Sequence, residues 1–193
     1  MKASLIWGTR VLSIILYSDA TLCDNIGKTS KHPVFLTLGN VPAWKRNKLE
    51  AKELLCYMPI LQSRSSSTRN SQEFRNLCRN VYQRCWSIIL RPILELKEME
   101  FCIRENFITF IPRISVFIAN MLEANAITCT FKSANCKRPC PTCTLPVEMF
   151  SNMELDRSEI KLRTPEKMKS IIKKSEAHEY SVHFIKNFFW KFP

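Results

Sequence analysis

Val11-Leu-Ser-Ile-Ile-Leu-Tyr17, followed at once by Ser18-Asp19, is the stretch that decides the fold. It is short, unbroken and rich in branched side chains, and such a run reads as a strand buried on both faces. Asp19 then falls at the C-terminal end of that strand. There a carboxylate either emerges from the sheet edge into a cleft or simply forms the turn. Pro33-Val-Phe-Leu-Thr-Leu38, closed by Gly39-Asn40, reads as a second strand close enough in sequence to pair with the first. Leu54 to Ile60 reads as a third, kept short or at an edge by Pro59. Phe107 to Ala119 is again strand-like, ends in Asn120, and is followed by a short strand expected over Ile127 to Phe131. Between them Phe74, Leu77, Cys78, Val81, Cys85, Ile88 and Ile89 recur at helical spacing and give one apolar face. Asn70 with Glu73 would cap that helix, and Pro92 would end it. Strands interrupted by a long amphipathic helix make an α/β fold.

The 193 residues carry 29 Lys+Arg against 17 Asp+Glu, a formal charge of +12. With 46% hydrophobic and 24% charged residues the chain is globular rather than disordered. No apolar run approaches the ~18 residues of a membrane-spanning helix. The opening stretch resembles a signal peptide only in part, since Arg10 breaks it, Asp19 follows it and no small-residue cleavage site closes it. Nine cysteines would leave one thiol over from any complete disulfide framework, so an intracellular chain with reduced thiols is expected. Three glycines leave sharp turns to Pro, Asn, Asp and Ser. Gly27-Lys28-Thr29 is not a phosphate loop, because Leu22 stands where that loop needs a glycine. Three histidines without a Gly-x-Ser-x-Gly motif give a hydrolase triad little support. There is no internal repeat.

Two local patterns carry chemistry. From Lys45 to Arg91 ten Lys/Arg face three Asp/Glu. Lys45, Arg46, Lys48, Arg75, Arg79 and Arg84 are therefore candidates for neutralising nucleic-acid phosphates, set against an ordinary solvated face with no aromatic platform. Cys136, Cys140 and Cys143 form the one cysteine cluster. A two-residue gap lets Cys140 and Cys143 grip one tetrahedral Zn²⁺, with Cys136 as third ligand and His178 or His183 reachable only if the chain folds back. Reduced structural thiols remain an alternative, and so does a redox pair, although no strand leads into a helix just after it. The tail from Asp156 onward holds nine Lys/Arg and five Asp/Glu and ends Phe188-Phe189-Trp190-Lys191-Phe192-Pro193. So aromatic an end is expected to be exposed and to drive association.

Ser13 to Thr21, His32 to Asn40, Ile114 to Ala119, Thr130 to Asn135, Pro139-Cys140 with Cys143, Thr164-Pro-Glu166, Ser181-Val-His183 and Lys186 to Trp190 follow one another in unbroken order. Together they resemble the transposase domain of fungal Plavaka-type elements, in the Kyakuja-Dileera-Zisupton group. The resemblance implies an incomplete ribonuclease-H-like mixed sheet with a Cys-rich insertion. Residues 8–131 would be the first part of that domain, 132–160 the insertion (a zinc knuckle), and 161–193 the start of the remainder. It also implies acidic residues holding two Mg²⁺ or Mn²⁺ ions for strand cleavage and transfer of DNA in the nucleus. Asp19 matches the first acid. Asn120 stands where the second belongs, and a neutral amide does not replace a carboxylate between two dications. The third acid would lie beyond Pro193. The expectation is thus a truncated, catalytically inactive transposase-derived protein. The alternative is a residual nucleic-acid-binding or interaction protein that uses the basic 45–91 segment.

Overall fold

The structure is a computed structural model and describes residues 9–24, 29–131 and 136–192. Gly27-Lys28 and the start of the expected insertion, residues 132–135, lie outside the described residues. In chain order the elements are β1 (Arg10–Ser18), β2 (Thr21–Leu22), β3 (Ser30–Lys31), β4 (Pro33–Leu38), α1 (Ala43–Arg46), β5 (Glu53–Tyr57), α2 (Ser66–Asn70), α3 (Gln72–Ile89), α4 (Arg91–Glu95), β6 (Met99–Ile103), β7 (Asn106–Ile118), α5 (Met121–Thr128) and α6 (Pro165–Lys173). Single 3-10 turns add Leu49–Ala51, Val147–Met149, Arg157–Glu159 and Phe188–Lys191. The fold is mixed α/β. It divides into two compact units, residues 1–60 with 87–119 and residues 61–86 with 120–193, which cut across the segments drawn from sequence.

The first unit is a five-stranded sheet in the order β5-β4-β1-β7-β6. β1 and β7 are parallel, and every other neighbouring pair is antiparallel. Pro59 falls beyond β5, which is an edge strand as its sequence requires. Ile14, Leu16 and Ser18 are buried on β1, while Tyr17 is 39% exposed. The unbroken apolar run therefore behaves as an alternating strand with one sealed face, not as a strand buried on both. Its start is pinned by the chain that leaves β4. Gly39 N donates to Ser13 O at 2.7 Å, and Asn40 both accepts from Ser13 N and donates to Val11 O. A Cβ on Gly39 would stand 2.4 Å from Ser13 Oγ, so a larger residue there would force Ser13 to shift. Between Ile14 and Ile15 the pairing with β7 skips Ser115, whose hydroxyl bonds Ser13 Oγ at 2.8 Å.

β6 and its hairpin with β7 were not foreseen. Their turn is made by Arg104 and Glu105, at φ 50° and 64°, where glycine or asparagine is the usual signal. With so few glycines, left-handed backbone also falls on Cys129, Ser175 and Ser181.

The second unit is helical and irregular. α3 is capped by Ser71, whose hydroxyl accepts from Phe74 N at 3.1 Å, and not by Asn70, which ends α2. α2 precedes α3 over the polar residues Ser66–Asn70. The buried residues of α3 are Gln83 and Trp86, whereas Leu77 is 52% and Ile88 62% exposed. The heptad-like stripe thus marks the helix but not its buried line. Residues 127–131 are not a strand: α5 runs to Thr128, Cys129 takes the left-handed cap, and Thr130 makes a single bridge to Val182.

The aromatic terminus is seated rather than exposed, which corrects the expectation that it lies open to solvent. Phe188 is buried and packs against Phe189 and Phe192, and Phe189 lies 5.5 Å from Trp86. Gln83 accounts for this. Its amide donates to Ala126 O and Ile127 O, and its carbonyl accepts from Phe188 N at 2.9 Å. Asn187 adds a bond to Ile127 O at 2.7 Å. A buried amide from one helix therefore replaces the missing backbone pairing of the terminal turn. A second core cluster of Met168, Ile171 and Val182, with Ile172, Tyr180 and Trp190 around it, holds α6.

Burial in this unit has a pH consequence. It pushes the Cys129 thiol up to about 12 and, together with the Glu123 carboxylate to which it donates, pushes the Tyr82 phenol up as well. Both shifts favour the protonated form in the folded chain. Their stabilisation is complete near neutrality and is lost as pH rises past the unfolded values of roughly 8.5 for Cys and 10 for Tyr. Urea denaturation across pH should show stability falling above about pH 9, with Tyr82→Phe flattening the part above about pH 10. A profile that stays level to about pH 11 would contradict this burial.

Candidate functional site

Asp19 follows the last residue of β1, and it belongs to the first unit. The residue before it, Ser18, is fully buried and hydrogen-bonded to His32 Nε2 at 2.9 Å, which ties the end of β1 to the start of β4. Asn120 lies two residues past β7 and belongs to the second unit. It is the N-cap of α5: Oδ1 accepts from Glu123 N at 2.9 Å, and the backbone carbonyl accepts from Ala124 N at 2.8 Å. Asn120-Met-Leu-Glu123 is an N-terminal helix signature that sequence reading missed, because the residues after it looked like a strand.

The six basic candidates are divided between the units. Lys45 and Arg46 lie on α1, Arg46 donating to Gly39 O at 3.2 Å, and Lys48 Nζ sits 5.9 Å from the Trp44 ring. Arg75, Arg79 and Arg84 lie on α3. Arg75 and Arg79 are four apart and share a face, while Arg84 is turned about 140° from Arg79. Arg79 is half-buried and donates to Asn76 Oδ1 at 3.1 Å; burial first, and Arg75 second, lower its pKa.

The cysteine loop is the most highly organised polar region. Cys136 and Cys143 are buried and Cys140 is half-buried. Cys143 N donates to Cys140 Sγ at 3.4 Å, and the Thr142 hydroxyl lies 3.1 Å from the same sulfur. Burial pushes the Cys140 thiol up, but the hydrogen bonds from Thr142 and Cys143 outweigh it and the net direction is down; Cys143 goes up, chiefly by burial. Among the described residues no group of three or more His, Cys, Asp and Glu is arranged to hold a metal ion. The spacing thus brings two thiols together, with Cys136 close by in sequence. His178 and His183 lie against Phe131, at ring distances of 5.8 and 4.7 Å.

What fastens the loop is Arg163, which sequence reading did not single out. Its Nε donates to Cys140 O at 2.8 Å and Cys143 O at 2.9 Å, and its Nη2 donates to Arg138 O at 2.8 Å. Its backbone N–H reaches Thr142 O, and Cys143 bridges Leu162. One guanidinium therefore satisfies three carbonyls that a short, glycine-free loop turns inward. Arg138 in turn donates to Thr144 O and lies over the Tyr180 ring. No signal for this existed in the sequence beyond the tail's excess of basic residues.

Among the described residues no helix is long and apolar enough to cross a membrane. No curated protein matches the chain. Residues 2–193 match the Plavaka transposase family, which spans essentially all of the sequence, and the chain therefore belongs to that family.

Proposed function

We propose that this transposon-derived chain binds DNA and does not itself cut or join it. Asn120 carries the second half of this reading. The family's two-metal chemistry, as its resemblance implies it, calls for anionic oxygens at that position. Here the position offers a neutral amide whose Oδ1 is already engaged with Glu123 N–H. These donors do not fit a pair of Mg²⁺ or Mn²⁺ ions, and no catalytic step is derived through them. The ribonuclease-H-like reading draws support from the β5-β4-β1-β7 order, with β7 parallel to β1 across the long helix. DNA as partner, and the nucleus as its place of action, follow from family membership and from the charge of +12. Zn²⁺ at Cys140 and Cys143 rests on spacing and on the N–H to sulfur contact alone.

The test is a supercoiled-plasmid assay with Mg²⁺ or Mn²⁺, run beside a duplex-binding assay. Expected are no nicking or joining by the chain or by Asp19→Ala, and binding that weakens steeply with salt. Metal-dependent nicking that disappears in Asp19→Ala would refute silence, and absence of duplex binding would refute the DNA reading.

A further inference from the structure

The sequence placed phosphate contacts on residues 45–91, whose six candidates are divided between the two units. The second unit contains a cluster in which two cations share one aromatic ring. Arg138, in the loop that Arg163 fastens, and Lys167, on α6, lie at 4.8 and 6.0 Å from the Tyr180 ring. Lys167 Nζ donates to Thr144 Oγ1 at 2.9 Å, Arg138 donates to Thr144 O, and the Thr144 backbone N–H donates to Lys161 O at 2.9 Å. Arg138 and Lys167 thus meet at one buried threonine and one tyrosine, with the charges of Lys161 and Arg163 acting on Lys167.

Their mutual repulsion is not offset by an equal number of acids. Among the described residues the ion pair made to the cluster is that of Glu179, 3.8 Å from Arg138, and Glu179 is already paired with Lys137. The thiols of Cys140 and Cys143 lie beside Arg163. Burial, then Lys161, Arg138 and Arg163, lower the Lys167 ammonium, as expected of a cation crowded by its own kind. Arg138 Nε is buried with no hydrogen-bond partner. A polyanion would relieve the repulsion, and clustered basic side chains are what neutralises the phosphates of a duplex.

Resting on the DNA reading above, we infer that the Arg138–Tyr180–Lys167 cluster, with Lys161, is the surface that holds the phosphodiester backbone of duplex DNA. Lys161 and Lys167 make the phosphate contacts. Arg138 and Arg163 keep the loop in shape and supply the fixed positive field. Contacts of this kind position the duplex without reading its sequence.

The test uses the full 193-residue chain and a fluorescently labelled duplex of mixed sequence, with anisotropy titrations at several salt concentrations. Three proteins are compared: wild type, Lys161→Gln/Lys167→Gln and Arg75→Gln/Arg79→Gln. Circular dichroism confirms that each is folded. Expected is a loss of about tenfold or more in the lysine variant, with the slope of log affinity against log salt shallower by about two. The arginine variant should lose clearly less. Equal losses in the two variants, or a lysine variant that binds as wild type, would overturn this surface while leaving the DNA reading in place. A wild-type chain that binds no duplex would overturn both.

Discussion

Trp86→Ala should lower the stability of the second unit by about 3–5 kcal/mol. Trp86 is fully buried near the C-terminal end of α3, with Tyr82 at 6.1 Å in an edge contact and Phe189 at 5.5 Å. Truncation removes the largest side chain of that core and leaves a cavity whose walls are rings, which collapse poorly. The loss is large against a whole-domain stability of roughly 5–15 kcal/mol. It should reach the terminus as well, because Phe189 would lose its seat and Gln83, one turn away, would lose a rigid neighbour. Chemical denaturation measures the first effect, and proteolysis after Lys186 or Lys191 measures the second. Trp86→Phe should recover more than half of the stability, since it restores a ring in the same place. A Trp86→Ala protein as stable as wild type would mean that the terminal aromatics are not packed on α3.

Arg163→Gln is expected to be next in size, at roughly 3 kcal/mol. The guanidinium gives charge-assisted bonds to the carbonyls of Cys140, Cys143 and Arg138, and glutamine reaches at most one of them. The remaining carbonyls would turn outward or stay unpaired, and the loop would open. Arg163→Lys should recover little, because an ammonium keeps the charge but not the planar fork. The specific readout is thiol chemistry. Cys143, buried in the native loop, should react with a maleimide much faster in Arg163→Gln than in wild type. Exposed Cys23 and Cys102 should be unchanged. Unaltered labelling at Cys143 would show that the loop holds its shape without Arg163.

Both variants act in the half of the chain that sequence reading described least well. Gln83 and Arg163 look like solvated residues, yet each satisfies several backbone groups that helix and sheet ladders leave over. Such residues have no periodic signature. Their partners are 20 to 105 positions away in sequence, so nothing local marks them.

The sequence by itself determined the three inner strands of the sheet and the long helix. Branched apolar runs at Val11–Tyr17, Pro33–Leu38 and Phe107–Ile118 have no competing local structure, and the spacing from Phe74 to Ile89 fits only a helix. It also determined family membership, which rests on residue identity and order over residues 2–193. Only the tertiary structure decided which helix residues are buried, how the β6–β7 turn is made without glycine, and that Asn120 is engaged as a cap. It alone seated the terminal aromatics and brought Arg138 and Lys167 to the Tyr180 ring. The division has a physical cause. Backbone propensity and apolar periodicity are local energies, written into neighbouring residues. The satisfaction of leftover carbonyls and the placement of like charges depend on which distant segments meet, and that is settled only when the chain has packed.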